Sequence, residues 1–300
     1  MDKKNTTIEE WQALSLPEKQ QLLRTPGDSR RLNPVRKTIE WADLSLNYVT
    51  GCKNGCKTPE GKRYCYAEKI AARKRYDQPP FDQPAIWPER LERLTQNLDQ
   101  VSGKRIFWGS AADIFGDWIP AAWLEAMVDA IAACDAALTK RGKSLPTHIF
   151  LTKNPIRYSS LELRDLWLKP NVWFGATVDT QERWLSIADD LFELADQYAP
   201  SKGRVPNIWL SIEPLLSAID LRSYLRMCKI KQIVIGPQTG AGAKPPERQW
   251  VESILDQVYE APQPIAVWVK NNLGYHLELK RWYDLNDRLE APIGNESDEV

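Results

Sequence analysis

Three cysteines, Cys52, Cys56 and Cys65, fall within fourteen residues at the spacing C-x3-C-x8-C. An odd trio of thiols cannot close on itself as disulfides, and nothing else in the chain reads as secreted. Three thiolates make an incomplete coordination shell. They leave one position open on a zinc ion, or one iron open on a four-iron cluster. An open position is what a catalytic metal needs. The other two cysteines read differently. Cys134 falls on an apolar helical stripe and Cys228 follows Met227 in a helical stretch, so both are expected in the core. With two histidines in the whole chain, a His-rich metal site or His-based catalysis is not expected. His148, opening a strand, and His276, near the end of the chain, are the candidates for a fourth ligand.

Neighbouring elements must hold this stretch in place. Residues 48–52 read as a short apolar strand leading into Cys52. Residues 67–76 read as a helix with a basic outer face of Lys69, Arg73, Lys74 and Arg75. A Pro-rich loop follows at 78–84 and cannot be helix interior. Pro88 then stands at an allowed first-turn position of a further helix. From residue 105 the chain becomes regular. Near-continuous apolar runs at 105–109, 148–152, 172–176, 208–212, 232–236 and 265–269 read as parallel strands buried on both faces. Between them, residues 121–138 place Leu124, Met127, Val128, Ile131, Cys134 and Leu138 on one helical stripe, and 181–198 and 248–259 are similar. Repeated strand–helix units imply an α/β fold with a parallel sheet. A full or partial TIM-type (β/α) barrel is the expected architecture, and a doubly wound open sheet is the alternative.

The barrel is expected to span residues 37–290. Before it, residues 1–36 read as a short helical N-terminal extension. Thr7 with Glu10, and Ser15 with Glu18, fit the capping box that opens a helix. The linker that follows carries Arg30, Arg31, Arg36 and Lys37, and reads either as a solvated arm or as a strip that touches phosphates. Residues 291–300 read as a disordered acidic tail. Forty acidic residues balance forty basic ones, so no global charge points to nucleic acid or membrane. No apolar run approaches the roughly 20 residues that span a bilayer. The opening residues do not read as a signal segment, and a cytoplasmic location is expected. The 13 Trp are expected as flat surfaces in pockets or at interfaces.

In barrels the chemistry lies at the carboxyl ends of the strands. There this sequence places Thr50 and the cysteines; then Ser110, Asp113 and Asp117; then Thr152, Lys153 and Asn154. Thr177 and Asp179 follow, then Ser211 and Glu213, then Gln238, Thr239 and the glycines of 236–242, and last Lys270, Asn271 and Asn272. Any one of these is an ordinary loop residue. All seven strands ending in polar groups is the pattern of one polar pocket. There is no phosphate-binding P-loop, no dinucleotide fingerprint, no zinc-protease helix motif and no nucleophile elbow.

A set of motifs in order resembles a group of bacterial and phage-encoded radical-SAM-like proteins, more distantly similar to spore photoproduct lyase. They are Ile39-Glu40-Trp41, Val49-Thr50-Gly51-Cys52, Cys65-Tyr66-Ala67-Glu68 and Pro88-Glu89-Arg90-Leu91. The order continues with Ser110 to Phe115, Leu151-Thr152-Lys153, Gly175 to Arg183, Ser211 to Leu215 and Gly236 to Pro245. The resemblance spans about residues 39–272 and leaves residues 1–36 unexplained. Radical SAM enzymes mostly carry C-x3-C-x2-C; here residues 57–64 stretch the second gap to eight.

The resemblance implies that Cys52, Cys56 and Cys65 hold a [4Fe–4S] cluster by three irons, and that the fourth iron takes the amino and carboxylate groups of S-adenosylmethionine. One-electron reduction would then cleave the sulfonium and start hydrogen abstraction from substrate. The cofactor carries the radical chemistry, and the protein supplies orientation and a dry enclosure. On this reading Tyr66 packs the adenine or the cluster edge, and Ser110 and Asp113 bind the methionyl ammonium. Thr177, Asp179, Ser211 and Glu213 bind ribose or substrate, and Lys153 and Lys270 bind an anionic group. The basic arm, the basic helix, the tryptophans and the distant lyase similarity together favour a nucleic acid or nucleotide as substrate. Two other readings stand beside this one. The thiols can hold a structural zinc on a barrel scaffold, or the chain can be a noncatalytic binding protein with a partner.

Overall fold

The structure, a computed structural model, describes residues 32–35, 39–73, 80–202, 205–227, 230–240 and 242–273. The expected N-terminal helices, Arg30, Arg31, Arg36 and Lys37 of the basic arm, Lys74 and Arg75, Cys228, His276 and the acidic tail lie outside these residues. The chain divides into two compact units, Met1–Asn54 with Ala67–Pro146, and Gly55–Tyr66 with Thr147–Val300. Both are α/β; the repeated parallel strands belong to the second.

In the first unit, β1 (Asn33–Pro34) pairs antiparallel with β2 (Leu44–Leu46), and β2 pairs in parallel with β5 (Arg105–Trp108), Leu44 opposite Ile106. A separate antiparallel ribbon joins β3 (Val49–Thr50) to β4 (Ala85–Ile86). The helices are α1 (Tyr66–Arg73), which this unit holds from Ala67 on, α2 (Arg93–Gln96), α3 (Leu98–Val101) and α4 (Ala121–Lys140).

The expected strand at 48–52 is corrected here, since the sheet strand lies four residues earlier. Asp43 fixes that register. Its backbone N–H donates to Arg105 O at 3.0 Å, and its carboxylate accepts from Arg105 N at 2.9 Å and Nε at 3.3 Å. Leu44, Ser45 and Leu46 are all buried. The chain then leaves the sheet at Asn47, and Val49–Thr50 pairs in the ribbon instead. The helix expected from Pro88 begins as a 3-10 turn (Pro88–Arg90) before α2. In α4 the predicted stripe holds for Leu124, Met127, Ile131, Cys134 and Leu138, which are buried, while Val128 is half-exposed. Cys134 is a core thiol, pushed up to about 12 by burial and then by Asp135.

The second unit contains β6 (Thr147–Thr152), β7 (Val172–Thr177), β8 (Asn207–Ile212), β9 (Ile230–Ile235) and β10 (Ala266–Val269). Each strand pairs in parallel with the next in sequence. This sequential order lacks the reversal that defines a doubly wound sheet. Two 3-10 segments (Pro155–Ser159 and Leu161–Leu166) follow β6. Helices α5 (Gln181–Lys202), α6 (Arg222–Met227) and α7 (Arg248–Tyr259) follow the next three strands. Thr180 opens α5, its Oγ1 accepting from Arg183 N at 3.2 Å as an N-cap does.

Tryptophans fill cores here, where the sequence pointed to pockets or interfaces. Trp173, Trp184 and Trp209 are fully buried in this unit and Trp108 in the other. Burial of each such side chain contributes roughly 1.5–3 kcal/mol. Two polar edges in this core are satisfied: Trp209 Nε1 donates to Phe150 O at 3.0 Å and Tyr158 Oη to Gly175 O at 2.8 Å; the buried Trp184 Nε1 has no hydrogen-bond partner among the described residues. No described helix is long and apolar enough to cross a membrane.

Candidate functional site

The strands of the second unit deliver their functional groups through hydrogen bonds that carry the ladder past the last strand residue. Val178 N donates to Ser211 O at 2.8 Å, Leu216 N to Asp179 O at 2.9 Å, Gly236 N to Ile212 O at 3.1 Å and Lys270 N to Ile235 O at 3.0 Å. Asp179, Gly236 and Lys270 are therefore held by backbone at the carboxyl edge, and Glu213 follows the tied Ile212. At the end of β6, Thr152 Oγ1 accepts from Asn154 N at 2.9 Å, and this turn presents Lys153.

Asp179 is the hub of one cluster. Its Oδ2 accepts from Lys153 Nζ at 2.7 Å and from Tyr64 Oη at 2.5 Å, and its Oδ1 accepts from Arg183 Nε at 2.6 Å. Lys153 Nζ also donates to Tyr64 Oη at 3.2 Å. The Asp179 side chain is 4% exposed and that of Lys153 11%, so these charges meet away from water, where pairing is obligatory. Burial pushes the Asp179 carboxyl up, but Lys153 and Arg183 outweigh it and hold the group below the usual carboxylate range. Burial and then Asp179 push the Tyr64 phenol up.

Two of the three cysteines belong to this unit. A hydrogen bond with Cys65, then burial, pushes the Cys56 thiol up; Lys153 pulls it down, and the charges of Cys65 and Asp179 push it up further. Two cations against one carboxylate leave a surplus positive charge within electrostatic reach of Cys56.

A second cluster lies along the same edge. Lys270 Nζ stands 3.0 Å from Glu213 Oε1, and Ser211 Oγ donates to Glu213 Oε2 at 3.2 Å. A Cβ at Gly236 would come within 2.6 Å of Glu213 Oε1 and 2.8 Å of Lys270 Cδ, so this pair requires glycine there. Thr177 is buried at the end of β7.

In the first unit, Cys52 sits in a turn fixed on both sides. Gly51 N donates to Ala111 O at 3.2 Å and Cys52 N to Phe81 O at 2.6 Å. Gly51 has φ +87°, and a Cβ there would lie 2.9 Å from Phe81 O. Asn54 Nδ2 donates to Asp113 Oδ2 at 2.8 Å, while Asp113 Oδ1 accepts from Phe115 N at 3.2 Å. Asn47 Nδ2 donates to Ser110 Oγ at 2.9 Å. Asp113 and Ser110 thus brace the loops that carry Cys52 and Ala111.

The sequence-derived residues Cys56, Cys65, Lys153 and Asp179 come together, as do Ser211, Glu213 and Lys270. Ser110 and Asp113 group with Asn47 and Asn54. Tyr66 is 46% exposed at the start of α1. His148 is corrected as a ligand candidate. It is buried near the amino end of β6, four residues or about 13 Å of strand from Thr152. Tyr64 and Arg183 were missed. Arg183 carried a signal, a cation four residues after Asp179 at a helix start; Tyr64 carried only its position before Cys65.

The donor chemistry fits a thiolate-held metal. Cys52, Cys56 and Cys65 are half-buried thiols outside any disulfide, and the surplus cation would offset thiolate charge. Among the described residues, no three His, Cys, Asp or Glu side chains are gathered into a metal-holding group.

The family described as Protein of unknown function (DUF5131) matches residues 36–278, and the chain belongs to that family. Neither the curated proteins nor the solved structures include a match to it.

Proposed function

We propose that this protein is a radical SAM enzyme built on a partial (β/α) barrel. The observation that carries the reading is the buried cluster of Lys153, Asp179 and Arg183, bonded to Tyr64 next to Cys65, at the carboxyl edge of five consecutive parallel strands. The motif order given above supports the same reading. Cys52, Cys56 and Cys65 would hold a [4Fe–4S] cluster. With S-adenosylmethionine bound, that cluster supplies one-electron cleavage of the sulfonium and hydrogen abstraction from a substrate.

The chain's own residues do the rest. Lys153 and Arg183, paired with Asp179, would offset the charge of thiolates held by a metal. Glu213, tied to Lys270 and Ser211, presents a carboxylate for hydroxyl or ammonium groups of the cofactor or substrate. Ser110 and Asp113 hold the loops that carry Cys52 and Ala111. The exposed Lys57, Lys62 and Arg63 beside the cysteines favour an anionic substrate, a nucleotide or nucleic acid.

The test is anaerobic loading with iron and sulfide, reduction with dithionite and assay of S-adenosylmethionine cleavage. The expected products are 5′-deoxyadenosine and methionine, abolished in Cys56→Ala. An intact cluster that leaves S-adenosylmethionine uncleaved would assign the protein to noncatalytic binding. Stoichiometric zinc with no iron would assign the cysteines to a structural metal.

A further inference from the structure

We propose that the eight-residue gap between Cys56 and Cys65 is a positioning element, and that Tyr64 is the latch that fixes it to the strand ends. The proposal rests on the reading above only in taking Cys56 and Cys65 as ligands.

Nine peptide steps could separate two residues by about 30 Å if extended. Here they return to contact, because residues 57–63 double back as a hairpin. Lys57 bridges Arg63 in antiparallel sense. Thr58 N donates to Lys62 O at 2.9 Å, and Gly61 N to Thr58 O at 2.8 Å. Gly61, at φ +81°, turns the tip with nothing within 4 Å of where a Cβ would sit. Tyr64 N donates to Cys56 O at 3.3 Å and closes the base. The stretched spacing therefore ends where a compact spacing would, with the two thiols hydrogen-bonded.

A two-stranded hairpin alone is marginal in water, so something outside it must hold this one. At the base, Tyr64 Oη donates to Asp179 Oδ2 and accepts from Lys153 Nζ. One phenol thus ties the cysteine loop to the ends of β6 and β7. At the tip, Lys62 Nζ lies so close to Gly242 that a Cβ there would be 2.9 Å away, and Lys244 acts electrostatically on Glu60. Tyr64 acts through the cysteines it positions. Removing its hydroxyl leaves Asp179 with both cations, so the charge cluster survives while the loop loses its tie.

The experiment uses the reduced, metal-free full chain treated with diamide. The reagent takes up two electrons and two protons as a disulfide forms, and the product is mapped by non-reducing peptide mass spectrometry. The wild type is expected to give the Cys56–Cys65 disulfide first. Tyr64→Phe and Gly61→Ala are each expected to slow it about tenfold, the scale of one hydrogen bond to a charged group or one strained turn residue. Their tryptophan emission should stay at the wild-type position. Gly61→Ala touches only an exposed tip, so a slower rate there cannot come from a damaged core. Unchanged rates in both variants, or a wild type that yields no Cys56–Cys65 disulfide, would overturn the proposal. No metal is present, so the latch can fail while a cluster still forms, and the cluster can fail while the latch holds.

Discussion

Replacing Asp179 with alanine is expected to remove about 3–5 kcal/mol of folding stability, the scale of breaking a buried ion pair by deleting one partner. The change leaves two cations without their carboxylate. Lys153 Nζ and Arg183 Nε lie 2.7 and 2.6 Å from it; Lys153, 11% exposed, is left largely out of water, while Arg183, 32% exposed, adds less to the cost. Tyr64 loses its acceptor as well. Urea unfolding followed by tryptophan emission measures the loss, and a change below about 1 kcal/mol would show that the cluster is not desolvated. The same carboxylate sets an acid limit. Its native pKa lies below the unfolded value of about 3.9. Its contribution is therefore fully present above about pH 4 and is lost as pH falls through the depressed native value. Asp179→Asn should flatten the dependence of the urea midpoint on pH in that acid window and leave the slope above pH 6 unchanged.

Gly175→Ala is expected to cost about 2–6 kcal/mol, for a different reason. A Cβ on this β7 residue would lie 2.2 Å from Trp209 Cε2 and 2.7 Å from Phe150 O. The indole is fully buried and cannot yield without breaking its 3.0 Å hydrogen bond to Phe150 O. Overpacking of about 1–3 kcal/mol then adds to a buried donor and acceptor left unpaired, about 1–3 kcal/mol more. Thermal unfolding would report it, with Gly142→Ala as the comparison. That glycine, unlike Gly175, has positive φ, and it has nothing within 4 Å of a Cβ, so its cost is backbone strain alone. Equal losses in the two variants would show that Trp209 can move aside.

These two sites mark what the sequence makes legible. Buried parallel strands announce themselves as apolar runs, because both faces of the sheet demand the same residues. The expected 208–212 and 232–236 are observed as Asn207–Ile212 and Ile230–Ile235. Asp179, Glu213 and Lys270 were legible for the same reason, as the first charged residues after such runs. The sheet strand Leu44–Leu46 was not. Its three residues include a serine, and the more apolar 48–52 stretch beside it competed for the assignment. The deciding interaction, Asp43 with Arg105, joins positions 62 residues apart. The hairpin at 57–63 was equally hidden, since it is polar, short and without periodicity. Its existence depends on Tyr64 reaching a carboxylate 115 residues away. Long-range polar pairing leaves little trace in local sequence, whereas burial leaves a great deal.

The proposed function requires that Cys52, Cys56 and Cys65 hold an iron–sulfur cluster with one iron open to S-adenosylmethionine. Its most direct test is electron paramagnetic resonance of the anaerobically reconstituted, dithionite-reduced protein, recorded with and without S-adenosylmethionine. The expected result is a four-iron signal that changes when S-adenosylmethionine is added and is absent in Cys56→Ala. A protein that takes up no iron and carries stoichiometric zinc instead, or a cluster signal that S-adenosylmethionine leaves untouched, would contradict it.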